Sequence, residues 1–433
     1  TPTTTPVPLS AAEFNVVVAG FGYENENGEI GQSRIADNMS DIIAHELNQI
    51  TQIDNTLHWQ SNGVGHILGM TPTERERQAA EIALRLNADV VIYGIISSDG
   101  IFNRFEPEFY IAAAFAAHEP ELVGSDYMGS AIEFVGDSED QILAANSFQR
   151  RLGVIRQFLR GLAFYLAGNF EGAHATFSDA LNIEDEGLEI LHIFAGNASV
   201  RVPNLDQAFE HYTVALEQRP DYARALIGRG IVFFGMAVDK AGENPPPYDP
   251  QLVLDSRTSC DDIDIALPEE PQLLGQLALM CYRQADNSPD KPATADIDIK
   301  VAFGTGQTGL WLSIHEYGDH WNEVETELSL IVETYESSSD IRQSRLRSSA
   351  ANAHAWIGLK LIILEGESQQ AMCRALYHYR NAVALLREDV NRSYNQRWID
   401  LYTQQVGVIE QWLSDRSLSC ERDVEIRTNT PSL

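Results

Sequence analysis

The chain has 433 residues, and its 63 acidic against 30 basic residues give a formal net charge of −33. A hydrophobic content of 44 % is typical of a folded protein, and the length predicts about two to four domains, or one domain followed by a repeat array. The acidic excess excludes nucleic acid and anionic membranes as general partners. No apolar run is long enough to insert into a membrane.

The first twelve residues are rich in threonine and proline and begin with Thr1, not Met. They have no apolar period, and their prolines predict an extended linker of polyproline character over residues 1–12. Such linkers commonly join a folded domain to a membrane anchor or to a second domain. We therefore expect a chain cut from something longer, in which a membrane anchor can precede residue 1.

Residues 13–137 are predicted to form a small α/β sandwich domain. Apolar runs rich in β-branched residues predict buried strands at Glu13–Phe21, Ala88–Ile96 and Glu108–Phe115. Residues 56–70 contain two further short strand candidates.

Two helices complete this domain in the sequence. Apolar residues at helical spacing predict the first over residues 33–50, and a capping box of Thr71 and Glu74 begins the second. A strand, a helix and then the strand Ala88–Gly94 leading to a hairpin follow one another in the sequence. This order of elements resembles the amino-terminal domain of TolB-type periplasmic proteins over about residues 13–135. In that family the domain serves assembly and recognition, so the resemblance implies a non-catalytic role.

Two features near the first strand have alternative interpretations. Gly20 and Gly22 begin a dinucleotide fingerprint, but Asn25 stands where the third glycine is required, so we predict a plain turn. A cluster of oxygen-bearing side chains follows and could bind calcium, but its spacing is not that of an EF-hand. We predict instead a solvated hairpin tip formed by Glu24, Glu26, Asn27 and Glu29.

Residues 154–236 repeat a pattern of small and aromatic residues at an interval of 35: Gly161 recurs as Gly196, and Ala173 as Ala208. Small residues let paired helices approach closely, and aromatic residues fill the space between them. The pattern consists of Gly161, Phe164, Ala173, Phe177, Ala180, Gly196, Ala208, Tyr212, Ala215, Pro220 and Gly230. It is similar to the tetratricopeptide repeat (TPR), and this resemblance implies an α–α superhelical solenoid over residues 138–418 that binds a protein or peptide.

The later part of the array is predicted to be interrupted by insertions near 239–270, where three consecutive prolines exclude a helix, and near 286–306. Helices are predicted at Pro271–Gln284, Leu310–Tyr317, Trp321–Tyr335, Ala353–Glu365, Gln370–Leu386 and 395–414, followed by a tail over 419–433. Together these segments predict about five repeats.

Few residues in the array suggest chemistry. Gly304, Gly306 and Gly309 match the dinucleotide fingerprint, but we predict a flexible loop between repeats; an anion site at the next helix is the alternative. His315 and His320 lack the spacing of a zinc motif. We expect the repeat histidines to lie in a groove or on the surface; they are His174, His192 and His211. Glu106 and Glu108 could form a hydrolase pair, although a turn before a strand explains them equally well.

The four cysteines allow two disulfides, most simply Cys260–Cys281 and Cys373–Cys420, or four buried free thiols. With the Thr/Pro segment, the disulfide interpretation predicts an exported domain in the periplasm or at the cell surface.

Charge is unevenly distributed along the chain. Residues 1–150 contain 22 acidic and six basic residues, whereas residues 341–397 contain nine basic and four acidic residues. One interpretation is that the arginines form a solvated helix face. The other is that they form a docking surface for an acidic partner, for which the acidic α/β domain of another copy is one candidate. The residues proposed for that surface are Arg342, Arg345, Arg347, Arg374, Arg380 and Arg387.

The sequence thus predicts a non-catalytic protein- or peptide-binding module without a cofactor, the extracytoplasmic sensor or interaction part of a larger bacterial signalling protein. It also allows a homo-oligomer. One alternative is a scaffold for envelope assembly. The alternative from another class is an enzyme, either nucleotide-binding through Gly304–Gly309 or a carboxylate-dependent hydrolase.

Overall fold

A computed structural model describes residues 8–9, 14–51, 57–61, 63–112, 119–184, 186–242, 246–255, 258–262, 267–292, 296–389 and 392–420. The chain divides into two compact units, Thr1–Gly318 and Asp319–Leu433. Most of the Thr/Pro segment and of the predicted tail lies outside the described residues. Within the described ranges, no helix combines the length and apolarity that a membrane crossing requires.

The first unit contains one mixed sheet, ordered β3-β2-β5-β1-β4, with β6 added beside β5, and β7 and β8 beside β6. Strand β1 is buried along its whole length and pairs in parallel with β4 and β5, whereas β5 and β6 form a long antiparallel hairpin. The strands are β1 (Phe14–Val18), β2 (Gly22–Glu24), β3 (Ile30–Gly31), β4 (Leu57–Gln60), β5 (Val90–Ser98), β6 (Asn103–Ile111), β7 (Gly124–Tyr127) and β8 (Ile132–Phe134).

The two helices of this domain are α1 (Arg34–Thr51) and α2 (Pro72–Leu86). The predicted capping box at α2 is confirmed: the Glu74 amide donates to Thr71 Oγ1 at 3.2 Å, and the Thr71 amide donates to Glu74 Oε2 at 3.2 Å. A plain turn was predicted at Gly20 and Gly22, but the chain leads there directly from β1 into β2. A Cβ at Gly20 would lie 2.4 Å from the His66 ring, so close packing explains this glycine and a phosphate-binding role is not needed.

A stack of helices follows the sheet. In the first unit these are α3 (Glu139–Leu143), α4 (Asn146–Leu166), α5 (Phe170–Ile183), α6 (Glu189–Arg201), α7 (Leu205–Gln218), α8 (Ala223–Ala241), α9 (Pro271–Asp286) and α10 (Ile297–Ile314). The second unit contains α11 (Trp321–Ser337), α12 (Asp340–Glu365), α13 (Gln369–Glu388) and α14 (Arg392–Asp415). The chain is therefore an α+β protein in which a small α/β sheet precedes a helical stack.

One contact recurs between the helices of the stack: a glycine on one helix faces an aromatic ring on the next. A Cβ added at Gly161 would lie 2.4 Å from Phe177, one at Gly196 would lie 2.7 Å from Tyr212, and one at Gly230 would lie 2.8 Å from Tyr282. Among the other pattern residues, the four alanines are fully buried, Phe164 is half-buried and Pro220 is exposed beyond the end of α7; the alanines are Ala173, Ala180, Ala208 and Ala215.

The prediction of an insertion near 286–306 is wrong for about half of its length, because α10 begins at Ile297. Its residues Ile297, Ile299 and Val301 alternate as in a strand, but α10 is buried on nearly all sides, so burial outweighs its β propensity. Gly304 lies in the middle of this helix, where a Cβ would lie 2.4 Å from the ring of Tyr282 on α9. The glycine-rich stretch is thus a helix-packing surface, and neither a flexible loop nor an anion site at a helix start is present there.

Both predicted disulfide pairs are present. Cys260 and Cys281, with Cα atoms 5.0 Å apart, join the segment 258–262 to α9. Cys373 and Cys420, 5.5 Å apart, join the residues after α14 to α13.

Candidate functional site

A segment of the α/β domain, Glu119–Asp126, lies against four alternate helices of the stack: α4, α6, α8 and α10. The segment consists of Glu119, a 3-10 turn over Pro120–Leu122 and the first residues of β7. Side chains from all four helices bind it. We call these side chains the segment-binding face: Tyr165, Asn197, Arg201, Tyr222, Arg224 and Lys300.

Glu119 is bound by helices α4 and α6. Tyr165 donates to Oε2, Asn197 Nδ2 donates to the same oxygen at 3.0 Å, and Arg201 Nη2 donates to Oε1 at 2.9 Å. Tyr212 on α7 donates to Asn197 Oδ1 at 2.5 Å and thereby orients the Asn197 amide toward the carboxylate. The contact is specific for a carboxylate, because all its partners are donors.

Arg224, at the start of α8, binds the main chain of the segment. Its Nε donates to the carbonyl of Glu121 at 2.9 Å, and its Nη2 donates to the carbonyl of Val123 at 3.0 Å. On α10, Lys300 Nζ lies 3.1 Å from Glu121 Oε1. Since carbonyl groups occur in any sequence, these contacts bind the backbone itself, and the neighbouring cations select acidic side chains.

Asp126 ends the segment at a third set of donors. Tyr222 donates to its Oδ2 at 2.6 Å, Arg224 donates to the same oxygen, and Arg219 Nη1 donates to Oδ1 at 3.1 Å. Arg219 also pairs with Asp290. On its other side Asp126 lies in β7 opposite Phe109 of β6, so the sheet and the helices hold the segment from opposite sides.

The electrostatics of the three carboxylates differ. Burial disfavours the charge of Glu119, but Arg201 and Lys300 more than compensate and lower its pKa. Asp126 is also buried, and Arg219 and Arg224 lower its pKa. Burial and the nearby Glu119 charge raise the pKa of Glu121 despite Lys300, so Glu121 is the least stabilised of the three.

The six arginines predicted to form a docking surface mostly bond within the second unit. Arg374 pairs with Glu365 at 2.7 Å, Arg380 pairs with Glu410 at 2.7 Å, and Arg347 donates to the carbonyl of Glu388 at 2.8 Å. Arg342 and Arg345 also have partners, and Arg387 is exposed.

These arginines do not form one compact cluster. Arg374 and Arg387 lie thirteen residues apart on α13, which is about 20 Å along a helix. A local count of charges could not detect this separation or the carboxylates that neutralise several of the arginines. Their role in docking stays a prediction.

The candidate hydrolase pair lies within β6 and not in a turn before it. Glu108 is buried and accepts from Arg75 Nε at 2.9 Å, and burial raises its pKa despite that arginine. Glu106 is partly exposed and lies 3.1 Å from Arg104. Each carboxylate thus has its own cation.

The structure also contains a recurring histidine pair that the sequence analysis missed. His192 and His211 bring their Nδ1 atoms within 3.2 Å between α6 and α7, and His354 and His378 do so at 2.9 Å between α12 and α13. In both pairs one histidine stands four residues before a packing glycine and the other stands one residue before the packing tyrosine. His174 extends the first pair, with its Nε2 3.2 Å from His211 Nε2.

Burial keeps His211, His354 and His378 neutral. It lowers the pKa of His354 to about 4 and, together with the neighbouring histidine, lowers the pKa of His211 and His378 to about 3. His315 packs on Trp311, with ring centroids 4.9 Å apart, and His320 lies 3.3 Å from Glu323. Among the residues that the structure describes, no group of three or more His, Cys, Asp or Glu side chains can hold a metal ion.

Comparison with known proteins gives no family assignment. No protein-family model matches the chain, and no curated protein matches it significantly.

Proposed function

We propose that this chain is a non-catalytic protein-binding module that recognises a short acidic segment of polypeptide. The observation that carries the proposal is the way in which alternate helices bind Glu119–Asp126, through its main-chain carbonyls and its carboxylates together. Contacts to a backbone and to side chains at fixed spacing are what peptide recognition requires.

The helical stack supports this proposal. Glycine–aromatic contacts at the predicted spacing are consistent with a TPR-like array, and such arrays serve as binding surfaces. Under this proposal the α/β domain, like the TolB-type domain it resembles, acts in recognition.

The two disulfides support a location outside the reducing cytoplasm, in the periplasm or at the cell surface. We propose that the module is the sensor or interaction part of a larger bacterial signalling protein. A scaffold for envelope assembly is the alternative within the same class.

The test is a titration of the intact, oxidised chain against a library of extended peptides from exported proteins, followed by calorimetry of those that bind. We expect saturable one-to-one binding of acidic peptides that weakens with salt, and mass spectrometry should recover these peptides uncleaved. Absence of saturable binding across the library, or cleavage of a bound peptide, would overturn the proposal. A matched variant, Arg374→Ala/Arg380→Ala, tests whether binding uses the arginines of the second unit.

A further inference from the structure

We infer that Glu119–Asp126 is an internal ligand of the segment-binding face, and that a short acidic segment of a partner protein binds there by displacing it. This inference rests on the proposed function and adds the identity of the site, the chemistry of the partner and the regulation of access.

The chemistry of the site defines the partner. Carboxylates are bound at three positions of the segment, the first, third and eighth, and Leu122 and Val123 between them are fully buried. A matching partner therefore carries Glu or Asp at this spacing around a short apolar pair. Arg224 adds two main-chain contacts that do not depend on sequence.

The internal ligand is imperfectly bound, which makes exchange feasible. Within the described residues, Glu121 Oε2 is buried without a hydrogen-bond donor, and Glu119 and Glu121 repel each other. A buried acceptor without a partner opposes binding, so a segment that places its second carboxylate differently gains over the resident one. Arg201 and Lys300 retain some solvent exposure, at 24 % and 15 % of their side chains, so the edge of the face is accessible.

Covalent attachment works against exchange. A segment joined to its own binding site is present at an effective concentration on the order of millimolar. A free peptide of the same sequence should therefore bind the wild-type chain poorly, and a variant with a weakened internal ligand should bind it well. This asymmetry distinguishes an internal ligand from a purely structural contact.

The experiment uses a fluorescently labelled peptide with the sequence of residues 119–126 and measures anisotropy against the full, oxidised chain. The variant Glu119→Gln/Glu121→Gln weakens the internal ligand at nearly constant volume. We expect it to bind the peptide at least tenfold more tightly than wild type does, and more tightly than it binds a scrambled peptide. The matched control, Glu26→Gln/Glu29→Gln at the exposed hairpin tip, removes the same charge and should behave as wild type.

A folded Gln variant, verified by circular dichroism, that binds the peptide no better than wild type would overturn the inference. So would a concentration-dependent dimer of that variant, because a second copy would then be the occupant. If the variant does not fold, hydrogen exchange on the wild-type chain tests displacement instead. Peptide at millimolar concentration should accelerate amide exchange in residues 122–127, and an unchanged exchange rate would refute displacement. Acidic peptides that bind the intact chain without these effects would leave the proposed function standing and remove this inference alone.

Discussion

Replacing Arg224 with methionine is expected to destabilise the first unit strongly, because this side chain joins the segment to the helical stack. The guanidinium is almost completely buried and donates to main-chain carbonyls of the segment and to Asp126. Methionine retains most of the apolar stem but leaves those acceptors without this donor. Removing one member of a buried ion pair typically costs about 3–5 kcal/mol.

The magnitude can be converted into a melting temperature. A unit of 318 residues has an unfolding entropy of about 0.7 kcal/mol/K near its midpoint, so a loss of about 3–5 kcal/mol lowers Tm by about 4–8 °C. Differential scanning calorimetry at neutral pH measures this change. The double variant Arg224→Met/Asp126→Asn should lose less than the sum of the two single variants, since the two groups are directly coupled.

The matched control is Arg380→Ala in the second unit. The Arg380 and Glu410 side chains are 59 % and 48 % exposed, and such surface pairs contribute about 0–1 kcal/mol. In the second unit, Asp319–Leu433, a cost of about 1 kcal/mol corresponds to a Tm change of about 4 °C, so the two variants are compared by the free energy of unfolding. If Arg224→Met costs no more free energy than this control does, Arg224 does not hold the segment in the way the structure indicates.

Three further predictions concern the helical stack. His378 has a pKa of about 3 in the folded chain, below its unfolded value of about 6.5, so the free energy of unfolding should fall by about 2 kcal/mol between pH 6.5 and pH 5. Urea unfolding at the two pH values should show a smaller fall for His378→Gln than for wild type, and equal falls would contradict the buried pair. Gly196→Ala should lower the free energy of unfolding by about 1–3 kcal/mol, because its Cβ would lie 2.7 Å from Tyr212. Gly407→Ala on α14, with no atom within 4 Å of the added Cβ, should be neutral or stabilising, and thermal melts that rank the two variants the other way would contradict the glycine–aromatic contact. Replacing both Cys373 and Cys420 with Ser opens a loop of 47 residues and should lower the free energy of unfolding by about 4 kcal/mol, from the entropy of loop closure. Thiol titration of the denatured, unreduced wild-type chain should detect no free thiol, and four free thiols would rule out both disulfides.

The repeat pattern was predictable from the sequence because its physical basis is local. Gly196 and Tyr212 stand on consecutive helices joined by a short loop, so a fixed spacing is enough to bring them together. The capping box at Thr71 was predictable for the same reason. Helix α9 carries the same spacing in Ala278, Tyr282 and Ala285, but the long proline-rich connection before it breaks the period and concealed it.

Helix α10 was missed because its sequence carries no amphipathic signal. It is buried on nearly all sides, and its alternating Ile297, Ile299 and Val301 suggest a strand until the surrounding helices are known. Of the three glycines that resembled a nucleotide motif, Gly304 is explained by packing, because a Cβ there would lie 2.4 Å from the ring of Tyr282, 22 residues earlier in the chain.

The segment-binding face could not be predicted from the sequence at all. Glu119 and Arg201 are 82 residues apart, and Glu121 and Lys300 are farther apart still. Local counts of charge instead favoured the arginines of residues 341–397, where several are paired within the unit. The histidine pairs left a usable signal, since each histidine has a fixed offset from a glycine or tyrosine of the repeat.

The central claim is that the segment-binding face recognises a short acidic segment, and one calorimetric titration tests it most directly. The peptide of residues 119–126 is titrated into the Glu119→Gln/Glu121→Gln variant at low salt, and then into the same variant with Arg201→Met added. The account predicts one-to-one binding that weakens at least tenfold with the added substitution and weakens further at high salt. Equal binding by the two folded variants, or equal binding of a scrambled peptide, would contradict it.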